Sequence, residues 1–238
     1  LMKESRMKKS LTAIAVIAAM SVPFAANAGV YGAANVAVVG SSADGAEMHI
    51  DTQKKRGNAI GAKGSMDTNI ADFKATYKFE VGLNGDDGSY FERDTNVGMA
   101  SKSLGSVTAG TISIGYKRTG KSIDPNFTTP FEGRGGLGMM SGQHGGTKDG
   151  GGRSTNTVEY VSPSISGAKV NAHYNLAEAA ANNIGAGLTY SGGPAKAFVQ
   201  YMGAAEDKTF TKFGGAFSMS GATVGVQYEM YADATTGG

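Results

Sequence analysis

The sequence predicts an all-β fold, an antiparallel up-and-down β-barrel of the kind that crosses a membrane with strands. Three observations carry that reading. An export leader opens the chain, period-two alternation of apolar and polar residues recurs along the rest of it, and the connections between alternating segments are by turns short and long. Composition agrees. Glycine fills 37 of 238 positions, well above its average of about 7%, and each glycine inside a helix costs about 1 kcal/mol. The absence of cysteine excludes a disulfide framework and any thiolate-ligated zinc or redox site. A hydrophobic content of 40% is too high for ordinary disorder.

The leader comes first. After the basic start Met7-Lys8-Lys9 the chain runs from Leu11 to Phe24 almost without charge and then reads Ala26-Asn27-Ala28, small residues on either side of Asn27 just before Gly29. That is the pattern of a cleaved secretory signal peptide, and the apolar run is shorter than the ~20 residues a spanning helix needs. Leu1 to Arg6 are expected to lie upstream of a natural start at Met7 and to be a miscalled start. Residues 1–28 carry +3, so the net +2 of the whole chain becomes −1 for residues 29–238. The apparent basicity is therefore a targeting signal, and no basic stripe is left to bind nucleic acid.

From Gly29 onward no window holds helical spacing for three turns, whereas alternation returns repeatedly. Eleven strands are expected near 30–39, 57–66, 72–81, 93–102, 106–116, 154–162, 167–175, 183–191, 195–202, 209–219 and 222–231. The clearest are Phe73 to Val81, where apolar residues alternate with Lys74, Thr76, Lys78 and Glu80, and Ala168 to Leu176, where they alternate with Lys169, Asn171, His173 and Asn175. Ile184 to Tyr190 and Val224 to Tyr231 repeat the pattern. One face of each strand is apolar and the other polar.

The connections sharpen the class. Short ones are expected near 67–71, 103–105, 163–166, 192–194 and 220–221, and long ones near 40–56, 82–92, 117–153, 176–182 and 203–208. Tight turns at one end, variable loops at the other and strands of ~10 residues are the signature of an outer-membrane barrel. Tyr116, Tyr160, Tyr174, Tyr190, Tyr201 and Tyr231 sit near strand ends, as an interfacial aromatic girdle requires. If the apolar face meets lipid, the alternate residues turn inward: Lys63, Lys74, Lys78, Glu80, Lys102, Lys169, Lys196, Lys212 and Glu229. Cations outnumber acids there, which predicts a weak anion preference, because charged rings set ion preference in pores. The expected pore-lining set is Lys63, Lys74, Lys78, Arg93 and Lys102 on the wall, with Asp124, Glu132 and Arg134 in the long loop.

Several segments carry a family likeness. Arg56 to Gly64 (RGNAIGAKG), Phe91 to Met99 (FERDTNVGM) followed by Leu104 to Gly110 (LGSVTAG), and Asn156 to Pro163 (NTVEYVSP) resemble successive hairpins of the Gram-negative general porins, most closely the neisserial and β-proteobacterial branch. The order of these segments, over the chain from Gly29 to its end, carries the resemblance. It implies homotrimers of 16-stranded barrels set in outer-membrane lipid and lipopolysaccharide. Such barrels pass ions and small hydrophilic solutes through a pore narrowed by the third external loop, the position that residues 117–153 occupy here. Many members place a basic residue after the glycine corresponding to Gly110, where this chain has Thr111. Members also end in a strand with a terminal aromatic residue, whereas this sequence stops at Gly238 after an eleventh strand. Single-chain bacterial barrels use an even strand number. The sequence is therefore expected to be the N-terminal part of such a barrel, lacking about five strands, as an open sheet with strands near 30–39 and 222–231 at its edges. The domain reading is a leader over 1–28 and a barrel portion over 29–238.

Other patterns lead elsewhere and are weaker. Gly115-Tyr116-Lys117-Arg118-Thr119-Gly120-Lys121-Ser122 matches the phosphate-loop pattern, but that pattern works only where a helix opens on the phosphates, and Asp124-Pro125 and Pro130 oppose a helix. Gly133 to Gly138 fits a dinucleotide fingerprint without a βαβ unit. His49, His144 and His173 are far apart, with no ligand-spaced partners. An outer-membrane hydrolase using His49 or His144 beside Asp51 or Asp149, and a structural or adhesive barrel, are the alternatives to a diffusion channel. No cofactor, metal or catalytic set is expected.

Overall fold

A computed structural model describes residues 28–34, 37–39, 49–51, 58–84, 88–124, 153–176, 184–203 and 208–233 of the chain. Its strands are β1 (Ala28–Ala33), β2 (Ala37–Val39), β3 (His49–Asp51), β4 (Ala59–Asp67), β5 (Lys74–Leu83), β6 (Tyr90–Ser101) and β7 (Gly105–Ser113). After a helix, α1 (Gly115–Lys121), come β8 (Arg153–Val161), β9 (Ala168–Asn175), β10 (Ile184–Gly192), β11 (Ala195–Gly203), β12 (Lys208–Met219) and β13 (Ala222–Asp233). Eleven strands form one sheet in the order β1-β4-β5-β6-β7-β8-β9-β10-β11-β12-β13. Every neighbouring pair is antiparallel. The sheet is not closed, and β1 and β13 each have one neighbour in it, as the strand count predicts.

Burial is inverted relative to a water-soluble sandwich. On one face Glu80, Asp94, Thr157, Glu159, Asn171, Gln200 and Lys212 are buried, while Phe79, Val170, Leu188, Tyr201, Phe213 and Val226 on the other face are exposed. Apolar residues facing outward and polar ones inward are what lipid outside and water inside select. The polar face is concave. Glu159 on β8 and Glu229 on β13 lie five strand spacings apart, about 24 Å along a flat sheet. Both nevertheless bond to α1, whose 7 residues span about 10 Å, so the sheet curls around the helix. Among the described residues no helix is long and apolar enough to cross a membrane.

The short connections follow turn chemistry. Ser220-Gly221 joins the paired Met219 and Ala222, and both turn residues have positive φ, 50° and 83°. This is the two-residue turn whose twist matches that of the flanking strands. Between β4 and β5 the reversal relies on side chains instead. Asp72 reaches over to the next turn, where it accepts hydrogen bonds from Ser101 Oγ at 2.8 Å, Lys102 N at 3.0 Å and Ser103 N at 3.2 Å. Those bonds lower the Asp72 carboxyl below its ordinary 3.8.

Four expectations are corrected. The strand expected over 106–116 ends at Ser113, and α1 begins two residues later. Local spacing conceals this helix because it has two turns and is buried on several sides, and its first N–H is capped by a carboxylate from β8. It also opens at the first glycine of the phosphate-loop pattern and ends at Lys121, where that pattern needs a helix to start. The segment expected as one strand over 30–39 is two, β1 in the large sheet and β2 paired with β3 in a separate hairpin. Lys102 stands in a turn rather than on a strand, because Asp72 captures the backbone N–H groups there. Tyr116 and Tyr231 leave the outward girdle: Tyr116 is fully buried on α1, and Tyr231 stacks on Phe210 at 4.9 Å on the concave face.

Candidate functional site

The concave face is the candidate site, and two devices shape it. The first is a pair of bulges at one level of the wall. Phe79 pairs with Thr95 but Val81 with Glu92, which leaves Glu80 facing both Arg93 and Asp94. Two strands over, Gly110 pairs with Thr157 but Ile112 with Ser154, so Thr111 faces Thr155 and Asn156. A bulge sets two residues against one and re-aims side chains. Without it, either Arg93 or Asp94 would point into lipid.

The bulges assemble an ionic network. Lys78 Nζ lies 2.6 Å from Asp94 Oδ2 and 3.3 Å from Glu80 Oε2. Arg153 Nε lies 2.8 Å from Asp94 Oδ1. Arg93 donates to Glu80, whose other oxygen accepts from the Tyr31 hydroxyl at 2.6 Å. Ser113 adds its N–H, at 3.1 Å, and its Oγ, at 2.7 Å, to Asp94. Buried carboxylates persist only when paired and hydrogen-bonded in this way. Thr111, the residue after Gly110, is buried and donates to Glu92 at 2.9 Å.

The second device is α1, which crosses the concave face. Arg118 grips Glu159 on β8 with both terminal nitrogens, at 2.6 and 2.9 Å, and Gly115 N donates to the same carboxylate at 3.0 Å. On the far wall, Tyr116 donates its hydroxyl to Glu229 Oε1 at 2.5 Å. Burial, together with that carboxylate, raises the Tyr116 hydroxyl well above its ordinary value. Lys212 lies 4.4 Å from the centre of the Tyr116 ring and donates to the Tyr116 carbonyl. Past the helix, Lys196 Nζ meets the Ser122 carbonyl at 3.3 Å. The backbone of Ile123 then comes so close to Gly225 on β13 that an added Cβ would sit 2.7 Å from its oxygen.

Beneath the helix the wall is thinned by glycine. Asn171 and Gln200 exchange two amide hydrogen bonds, at 3.2 and 2.9 Å, across Gly187 on the strand between them. A Cβ on Gly187 would lie 2.2 Å from the Gln200 amide, so only glycine admits the clasp.

The expected pore-lining residues are distributed as follows. Lys63 pairs across the sheet with Lys78 and lies 5.2 Å from the Tyr31 ring centre. Lys74 is exposed and bridges to Asp67 at 2.8 Å. Lys78 and Arg93 join the network, Lys102 lies in its turn, and Asp124 is half-buried just beyond α1. Glu132 and Arg134 lie outside the described residues, as do His144 and Asp149. Sequence reasoning missed Asp94, Arg153, Arg118, Glu159 and the inward role of Tyr116. One signal was available: two successive charges, Arg93 and Asp94, in a strand with a lipid face imply a bulge. Among the described residues no group of His, Asp or Glu is arranged to hold a metal ion.

Comparison with known proteins places this geometry in context. A family profile described as "Gram-negative porin" matches residues 12–238. An anion-selective porin from Comamonas acidovorans is similar over 86% of this chain and 67% of its own, with a TM-score of 0.70 at 19% identity. A double mutant of the Rh. blastica porin is similar over 85% of this chain and 72% of its own, with a TM-score of 0.53 at 14% identity. No curated protein matches the chain significantly.

Proposed function

The chain belongs to the Gram-negative porin family, an outer-membrane channel family rather than an enzyme family, and from that premise we propose that it forms a general diffusion pore for ions and small hydrophilic solutes with a weak preference for anions. The pore is narrowed by residues 117–153 folded inward as the third loop. The observation that carries this reading is α1, the start of that loop, bonded to β8 at one side and to β12 and β13 at the other. The anion preference is supported by the excess of cations on the concave face. Lys63, Lys74, Lys78, Arg93, Arg153, Lys169, Lys196 and Lys212 stand there against Asp67, Glu80, Asp94 and Glu229, with Arg118 and Glu159 cancelling. The similar Comamonas acidovorans protein is itself described as anion-selective.

In this reading Asp124, Glu132 and Arg134 belong to the constriction, and the acids face the wall cations Lys63, Lys74 and Lys78. Reversal potentials of the intact protein in a salt gradient test it. Neutralising both acids (D124N with E132Q) raises the anion-to-cation permeability ratio, because removing fixed negative charge from a narrow, low-dielectric passage raises the local potential. An unchanged ratio places those acids outside the pore. The protein is further proposed to be exported with cleavage between Ala28 and Gly29 and to assemble as a homotrimer in outer-membrane lipid. The intact mass of membrane-extracted protein reads the cleavage, and a mass that retains Leu11 to Phe24 overturns it.

A further inference from the structure

The sheet holds a second charged region, at the opposite end of the lumen from the bulges. A cavity of about 580 Å³ lies between α1 and the β9–β11 wall, toward the short turns at 162–167 and 193–194. Its cationic lining is Arg118, Lys169 and Lys196, and among the described residues no carboxylate borders it. Hydroxyls supply much of the rest, Thr119, Ser122, Ser164, Thr189 and Ser191 among them, and Phe198 with Val161 gives an apolar side.

The three cations differ in what they have left to offer. Arg118 commits three N–H groups to Glu159 and the Ser113 carbonyl, so its charge is balanced and two donors remain of its five. Lys196 spends one of its three N–H groups on the Ser122 carbonyl. Lys169 makes no ion pair among the described residues. The register puts Lys169 opposite Thr189 and Lys196 opposite Ser191. The lysines therefore stand on either side of β10 with its two hydroxyls between them, and their flexible stems let both ammonium groups converge on one dianion.

We propose that this cavity binds a small phosphorylated polyol, such as a sugar phosphate, with the phosphate held by Lys169 and Lys196. Its hydroxyls meet Thr189 and Ser191, and its C–H face rests on Phe198. Lysine suits a phosphate as a point charge, and the apolar side with the hydroxyl row is the complement of a sugar ring. The volume admits a hexose phosphate, whereas a bare phosphate leaves most of the cavity unfilled. The proposal rests on the pore reading above, since it makes this cavity a waiting place along the same passage.

Isothermal titration of the intact protein in lipid-free zwitterionic detergent tests it, with glucose 6-phosphate, inorganic phosphate and glucose as probes. Glucose 6-phosphate should bind at least tenfold more tightly than either of the other two. The K169Q/K196Q variant should lose at least tenfold, K169Q alone about threefold, and K169R/K196R should keep the affinity. Because Lys169 makes no ion pair among the described residues, its substitution should leave the fold intact, and heat-modifiable mobility in gels checks this for each variant. Equal binding of glucose 6-phosphate and inorganic phosphate overturns the polyol assignment. Undiminished binding in the glutamine variants overturns the site. Conductance in planar bilayers without glucose 6-phosphate binding sinks this inference and leaves the pore reading standing. Binding without conductance does the reverse.

Discussion

The two halves of the sheet solve the same problem differently. From β4 to β8 the wall carries both bulges and gathers its charges into a network within the strands themselves, where Lys78, Arg93 and Arg153 are matched by Glu80 and Asp94. From β9 to β13 the register runs without a shift. There the wall is glycine and amide, and Lys196, Lys212 and Glu229 bond to the segment lying on it. The first half settles most of its charges within its strands, Glu159 excepted, and the second leaves more of its interior to be completed by that segment. A barrel wall is thus not one repeated device: where it must hold charges permanently it departs from the two-residue period, and where it must receive another segment it stays regular and smooth.

The largest effect is expected at Asp94. Replacing it with alanine removes the nearest carboxylate from Arg153 and Lys78 and leaves Glu80 alone to answer both, at 3.8 and 3.3 Å, and loss of one partner of such a buried pair costs about 3–5 kcal/mol. The urea midpoint of the folded, detergent-solubilised protein should fall accordingly. A drop below about 1 kcal/mol would mean that the bulges stand without the network. In the regular half the corresponding test is Gly187→Ala, whose Cβ displaces the Gln200 amide from Asn171. The expected loss is about 1–2 kcal/mol, and in a Gln200→Ala background it should nearly vanish, as a double-mutant cycle would show.

The smallest effect concerns the turns. Asp72 staples two turns of the first half and titrates below its ordinary 3.8, whereas the Ser220-Gly221 turn of the second half uses no carboxylate. A lowered folded value means that the stabilisation from Asp72 is fully present above about pH 4 and is lost as pH falls through that lower value. The protection of the Lys102 and Ser103 amides, measured against their intrinsic exchange rates, should therefore fall below about pH 4, and D72N should remove that acid dependence. Exchange at Ala222 should show no such acid step.

This difference also explains how much was legible in the sequence. Three of the four clearest alternating segments, those beginning at Ala168, Ile184 and Val224, fall in the regular half, where period two and side-chain facing coincide. The order of the eleven strands in the sheet follows from that period. Asp94 escaped notice as a site residue because a bulge shifts the parity on which such assignments rest. The helix was hidden for another reason. Its cap is Glu159, reached only after the long loop has returned to the sheet, and its Tyr116 finds Glu229 across 113 positions of sequence. No local window contains either partner.

That capping arrangement fixes an order of assembly. A seven-residue segment with three glycine and threonine positions has no means of holding itself helical, since short isolated helices are marginal in water and nucleation is unfavourable. Its stabilising contacts span 41 to 113 residues, and contacts of such separation form only after the intervening chain has been closed. Segment 115–121 thus travels as coil until β8 and then β12 and β13 are in place, and it folds last, onto a wall already built. The helix is laid on the wall only once that wall exists, so the strands pair around an unobstructed interior and the chain never has to thread past its own helix.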